Sequence, residues 1–309
     1  MSSQQASSWR DLPRRILTVA IGVPSIILLL QNTVTSWLFF QGAHVICLLE
    51  WRALVPPTST SSSADTTKDG EASQLSQYLM SIFSIASFLI TITSTSLLPL
   101  VLVASSIVVR LVPHLPTCQK AKSTEYIYLT IQHYQFGLLY LSIGFHFLLQ
   151  IAISDRGAYH IGNLLFVVWM SDTGALIVGR TMKRTISQCQ PDSKLNQRGF
   201  FLEFLQSISP GKTMYGLLGA IITGPISAVL YPMAVVPINE EVDNTLASRA
   251  TLGFILAIAG IIGDLAESSV KRLSSKKDSG KLLPGHGGVV DRFDSLLSSA
   301  VVYYYWMSV

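Results

Sequence analysis

Nine apolar runs, at roughly 15–31, 34–50, 78–94, 96–113, 136–153, 160–179, 214–236, 248–268 and 294–308, take up more than half of the 309 residues. A helix needs about 20 mostly apolar residues to cross a bilayer, and in lipid the backbone must satisfy its own N–H and C=O groups. The chain is therefore expected to be all-α, a polytopic transmembrane helical bundle of about nine spans. The third and ninth runs are short for a full crossing, so eight or ten spans stay open from pattern alone. Charge content agrees: only 13% of residues are Asp, Glu, Lys or Arg, about half the usual share of a soluble domain.

The distribution of cations tests this layout. With the N-terminus in the cytosol and the runs alternating across the membrane, 20 of the 22 Lys and Arg fall on the cytosolic side, leaving only Arg156 and Arg249 opposite. That asymmetry is what the positive-inside rule describes. It places two strongly cationic segments, 180–212 and 271–292, on the cytosolic face. The reading is thus a multi-pass integral membrane protein with its site facing the cytosol, or the stroma or matrix if organellar. Two regions are drawn: residues 1–155, N-terminal transmembrane helices with a low-complexity polar loop at 57–76 expected to be disordered, and residues 156–309, a C-terminal catalytic transmembrane region. The Ser-rich residues 1–15 read as a cytosolic lead-in, with a short organellar targeting element as the alternative. Cys47, Cys118 and Cys189 are odd in number and lack CxxC spacing, which indicates neither a disulfide framework nor a zinc site.

Against this background the stretch 268–294, SSVKRLSSKKDSGKLLPGHGGVVDRFD, stands out as the most polar outside the 57–76 loop. It leaves one apolar run and re-enters another, so its charges are held at a membrane edge. Asp172 lies inside the sixth run, and Asp264 and Glu267 lie inside the eighth. A charge within a span costs a few kcal/mol on insertion scales and usually marks function, the bland alternative being a structural ion pair. On a helix, Asp264, Glu267, Ser268 and Lys271 fall at i, i+3, i+4 and i+7, on one face. Asp291 and Asp294 repeat the three-residue spacing where the ninth run begins. Two such helices side by side bring Asp264 and Asp291 together, and paired carboxylates with substrate phosphate suit a hard cation such as Mg²⁺. Lys271, Arg272, Lys277 and Arg292 would meet the remaining phosphate charge. Taken alone, those lysines favour a solvated loop that binds lipid headgroups; the aspartates argue against that.

Other motifs are weaker. Pro284-Gly285-His286-Gly287-Gly288 is a turn whose glycines allow close backbone approach to a ligand, and His286 either bonds a phosphate or caps the turn. Ser209-Pro210-Gly211-Lys212-Thr213 ends in a tempting GKT, but Gln206 stands where a Walker A loop needs its first glycine. A pre-span loop with a phosphate-facing Lys212 remains, beside a plain helix start at Pro210. His44 and His146 read as packed core residues, and 303–306 (YYYW) as an interfacial aromatic belt.

The same residues resemble the signature of the phosphatidate cytidylyltransferases, the CDP-diacylglycerol synthases. Ser268, Lys271, Arg272, Lys277, Asp278, Gly280, Pro284, His286, Gly287, Gly288, Asp291, Arg292 and Asp294 fill every defined position of that signature. Blocks around Asp172-Thr173-Gly174-Ala175, Ser209 to Thr213 and Gly263 to Ser268 follow the family order, so the likeness covers at least 160–295. Met214-Tyr215 stands where many members have Trp-Glu. The resemblance implies cytidylyl transfer from CTP to phosphatidate, giving CDP-diacylglycerol and pyrophosphate. It further implies catalytic roles for Lys271, Arg272, Lys277, Asp278, His286 and Arg292, and substrate contacts from Asp172, Ser209, Lys212, Thr213, Glu267, Ser268 and Asp294. Asp264 and Asp291 would hold Mg²⁺, alone or with a second cation. Expected partners are the two substrates and membrane lipids, with no nucleic acid and with a homodimer left open. Two rivals stand beside this reading: a CTP-dependent polyprenol- or phytol-type lipid kinase, which releases CDP in place of pyrophosphate, and an ion-coupled transporter, which would need discontinuous helices at the bilayer midplane.

Overall fold

The computed structural model describes residues 24–55, 66–111, 124–189, 205–235, 245–280 and 287–308, with Gly22 and Leu282. About half of the expected first span (15–31) falls outside them, and Pro284, Gly285 and His286 do too. Nine α-helices are set out among the described residues: α1 Thr33–Ala53, α2 Thr66–Ile92, α3 Leu98–Leu111, α4 Thr124–Gly137, α5 Ile143–Ile153, α6 Gly157–Cys189, α7 Met214–Val235, α8 Leu246–Leu273 and α9 Val290–Met307. The all-helical class expected from the apolar runs is what is found, and α1–α3 and α5–α9 each follow one of those runs to within a few residues, α2 and α6 extending well past theirs.

Among the described residues, four helical stretches are long and apolar enough to cross a membrane: Leu129–Ile153, Gly157–Thr185, Met214–Val235 and Leu246–Leu273. The apolar part of α2, Leu79–Ile92, is shorter, and α3 with its 14 residues rises only about 21 Å. One expectation is revised. Helix α2 begins at Thr66, inside the 57–76 stretch expected to be a disordered loop. The physical reason lies in composition: Lys68, Glu71, Ala72, Gln74 and Leu75 are helix formers, whereas the Ser/Thr-rich part precedes Thr66. Residues 57–65 lie outside the described set.

Local signals set the helix ends. The Asn32 side chain accepts the Val34 N–H at 2.8 Å to start α1, and Thr245 accepts the Ser248 N–H at 3.2 Å to start α8. Helix α8 stops in a Schellman arrangement. Ser275 takes a left-handed φ of 54°, and the N–H groups of Lys276 and Ser275 return to the carbonyls of Lys271 and Arg272 at 2.8 and 2.9 Å. That motif satisfies the last carbonyls and reverses the chain. Lys271 and Arg272 occupy the last turn of α8, where cations complement the helix dipole.

Packing in the C-terminal half runs in sequence: α7 lies against α6 and α8, α8 against α9, and α9 against α5, which in turn touches α1. Small residues let these backbones close up, as is usual where lipid supplies no hydrophobic drive between helices. At the α8–α9 crossing, a Cβ on Gly263 would strike the Asp294 carbonyl and the Ser298 hydroxyl. Between α4 and α5, Leu138–Ser142 forms a π turn within one continuous helix. Such turns carry one extra residue and recur at functional sites. This one places the Tyr140 hydroxyl between the carbonyls of Gly263 (3.0 Å) and Asp294 (2.9 Å), so its proton is shared across that same crossing. Phe293 continues the join, its ring 5.3 Å from Phe145 and 6.4 Å from Phe40. The aromatic core beneath includes Trp51, Phe83 and Tyr134, all fully buried.

Gly263→Val should force α8 from α9 and lower stability by about 1–3 kcal/mol, the usual range for overpacking. Gly42→Ala, on an exposed position of α1 with open space around it, should not destabilise. Thermal unfolding of the two detergent-purified variants compares them directly.

Candidate functional site

The expected face of α8 is present. Ser268 Oγ donates to Asp264 Oδ1 at 3.1 Å, and Lys271 Nζ lies 2.5 Å from Glu267 Oε2 one turn away. Lys271 also donates to Asp291 Oδ1 at 2.7 Å, across the crossing to α9. Lys271 is therefore enclosed by two carboxylates. Its side chain is 11% exposed, that of Glu267 0% and that of Asp291 8%. A second pair joins another helix junction: Lys212 Nζ lies 2.8 Å from Asp264 Oδ2. Asp172 on α6 lies within electrostatic reach of Asp264, Lys212 and Arg292, and Asp294 within reach of Asp264 and Asp172. Residues from α6, the turn before α7, α8 and α9 thus converge on one patch.

The turn before α7 is built by its own residues. Lys212 N–H donates to the Ser209 carbonyl at 3.1 Å, and Thr213 Oγ1 accepts the Gly216 N–H at 3.1 Å. Thr213 is therefore a helix cap, and α7 starts at Met214 rather than at Pro210. Arg272 braces this turn from α8, its Nε donating to the Ile208 carbonyl at 3.0 Å. Arg272 is exposed, as are Lys277, Asp278 and Arg292. Arg272 and Arg292 thus stand exposed at the patch, while Lys271 and Glu267 are buried within it.

Asp291 is held more closely than its place at a helix start alone would require. Its Oδ2 accepts the N–H groups of Gly288 at 2.8 Å and Ser279 at 3.0 Å. Burial alone would raise its carboxyl, but the Lys271 ammonium and the Gly288 N–H hold it below the ordinary carboxylate range. Gly287 has φ +81°, and a Cβ on Gly288 would lie 2.5 Å from Glu50 Oε2 and 2.6 Å from Gly280 N. The glycines at this turn are thus needed for one backbone conformation and one close approach. His286 and Pro284 of the same turn lie outside the described residues.

Two contributors escape sequence reasoning. Glu50, at the end of α1, accepts from Ser279 Oγ at 3.1 Å and from the N–H groups of Val289 and Val290 at 3.0 and 2.9 Å. One signal was available, because Glu50 is the only acidic residue between Asp11 and Asp65. Tyr140 gave none; a tyrosine in an apolar run reads as core.

Among the described residues, no group of three His, Cys, Asp or Glu side chains is assembled to hold a metal ion as it stands. Each carboxylate of the expected pair faces a lysine instead, Asp264 with Lys212 and Asp291 with Lys271.

The model of the cytidylyltransferase family matches residues 13–193 and 199–309. A phosphatidate cytidylyltransferase of Staphylococcus saprophyticus is 35% identical over 161 residues, 52% of this chain and 53% of that protein. That of Bacillus subtilis is 32% identical over 160 residues, 52% of this chain and 51% of its own length. An uncharacterized protein of Escherichia coli K12, YnbB, is 43% identical over 100 residues, 32% of each chain. The chain spans about half the length of the curated phosphatidate cytidylyltransferases it matches.

Replacing Lys271 by Met should leave Glu267 and Asp291 buried without a counter-charge, which typically costs about 3–5 kcal/mol. Lys277→Met, at an exposed position, should leave stability near that of the parent. Unfolding temperatures of the two variants in the same detergent test the difference.

Proposed function

The chain belongs to the cytidylyltransferase family, and on that premise we propose that it transfers a cytidylyl group from CTP to phosphatidate, giving CDP-diacylglycerol and pyrophosphate. The observation that carries the reading is the convergence of Lys212, Lys271 and Arg292 with Asp172, Asp264, Glu267, Asp291 and Asp294 on one patch. A phosphate oxygen of phosphatidate attacks the α-phosphorus of CTP, forming one P–O bond, while the α–β anhydride bond breaks and its electron pair leaves on pyrophosphate. The attacking phosphate monoester has a second pKa of about 6, so it is largely ionised at neutral pH and needs no general base. What the protein must supply is alignment and positive charge.

Five carboxylates share this patch with two lysines and Arg292, and that excess of hard oxygen donors fits a divalent cation such as Mg²⁺. Asp264, whose side chain is 35% exposed, lies within electrostatic reach of Asp172 and Asp294; Asp291 becomes available once Lys271 leaves it. Asp264 and Asp291 would hold Mg²⁺, which when bound neutralises triphosphate charge and polarises the reacting phosphate. Lys212 and Lys271 then exchange carboxylate partners for phosphate oxygens. The exposed Arg272, Lys277 and Arg292 orient the nucleotide phosphates and stabilise the departing pyrophosphate.

We place the patch on the cytosolic face of a nine-span bundle. The one-sided distribution of Lys and Arg supports that orientation, and the four span-length helices among the described residues support a membrane-spanning bundle. Water-borne CTP then meets a lipid substrate that stays in its leaflet.

With labelled CTP, phosphatidate and Mg²⁺, the purified protein should form CDP-diacylglycerol and pyrophosphate in equal amounts. Release of CDP would point to a lipid kinase instead. Asp264→Asn and Asp291→Asn should each lower the rate by about 10²-fold or more, the scale of losing a main electrostatic contact. Near-parent activity in either variant would remove that residue from the metal assignment.

A further inference from the structure

Helix α9 begins without a cap of its own. Its N-cap residue is Val289, which makes no side-chain hydrogen bond. The first N–H groups of any helix lack partners within it and must find them elsewhere. Here two of them find Glu50, more than 200 residues earlier in the chain: Val289 and Val290 donate to its Oε1 and Oε2 at 3.0 and 2.9 Å. Ser279 Oγ donates to the same carboxylate at 3.1 Å.

Ser279 and Val289 flank the part of the chain whose sequence includes Gly-His-Gly-Gly. Asp291 grips the same two flanks, accepting the N–H groups of Ser279 and Gly288. The last residues of α1 reinforce the contact, since the Ala53 and Leu54 carbonyls accept from Lys276 Nζ and Ser274 Oγ. The end of α1 is thus a template on which the chain between α8 and α9 is laid out.

We infer that Glu50 is a positioning residue for cytidylyl transfer: its carboxylate ties Ser279 to Val289 and fixes the start of α9, which sets Asp291 against Lys271. The inference rests on the proposed reaction for its kinetic half only. Bonds from N–H groups to an ionised carboxylate are about twice as strong as neutral ones, so the tie is held by charge. Glutamine keeps one acceptor oxygen but turns an NH₂ toward the other donor. Alanine removes both acceptors.

The test uses the full-length protein in detergent, with two readouts: amide hydrogen exchange across 275–291, and initial rates against CTP. In Glu50→Ala, exchange in that segment should quicken about tenfold or more while distant helices are unchanged, the pattern of a local opening. The kcat/KM for CTP should fall about 10²-fold, mostly in kcat, as expected for groups displaced by roughly 1 Å. Glu50→Gln should recover part of both, and it carries both readouts if the alanine variant does not fold. Unchanged exchange overturns the clamp. Faster exchange with kcat/KM within about threefold of the parent overturns the positioning role. If the parent protein makes no CDP-diacylglycerol, the reaction reading fails, and exchange alone still decides whether Glu50 ties Ser279 to Val289.

Discussion

A lysine ammonium enclosed between two carboxylates joins α8 to α9, and the patch is organised around it. Lys271 could not be placed among buried apolar neighbours alone, because an unpaired charge there would be far costlier than a paired one. Glu267 supplies one partner from the same helix, one turn away, and Asp291 supplies the other from the next helix. The pair therefore fixes the register of the crossing as well as its charge. With the register set, Gly263 faces the Asp294 carbonyl, and the Tyr140 hydroxyl fits between the two backbones.

The second consequence concerns what the patch is ready to bind. Lys212 and Lys271 occupy carboxylates that a hard cation would also seek, so the unliganded site holds its own charges in check. On the reaction we propose, anionic substrate would offer the lysines new partners and free oxygens for a metal. A site of this kind stays folded without ligand and responds when phosphate charge arrives. Arg272 and Arg292 are exposed, while Lys271 and Glu267 are buried.

Much of this was legible along the chain, for reasons that differ from residue to residue. Asp264, Glu267, Ser268 and Lys271 could be placed on one face because helical periodicity is local and the run around them is long. The helix class followed from apolar length, since lipid admits few alternatives. Thr213 was harder: a Ser-Pro-Gly-Lys-Thr string looks like a helix start at Pro210, and only the bond from Gly216 shows that the cap lies three residues later. The early start of α2 was missed because the Ser/Thr-rich half of 57–76 masked the helix formers after Thr66. Glu50 was legible only as an isolated acid in an apolar half, with nothing to say whom it meets.

The amino-acid sequence by itself determined the helical class, the clustering of the cations along the chain and which residue types could serve phosphate chemistry. All three depend on composition and on spacing within single segments. Tertiary structure alone decided the pairings: Lys212 with Asp264, Lys271 with Asp291, and Glu50 with the uncapped start of α9. Those contacts join residues 20 to 240 positions apart, and no local rule relates them. They exist because buried charges and orphaned N–H groups must be satisfied by whatever the packed helices bring within reach.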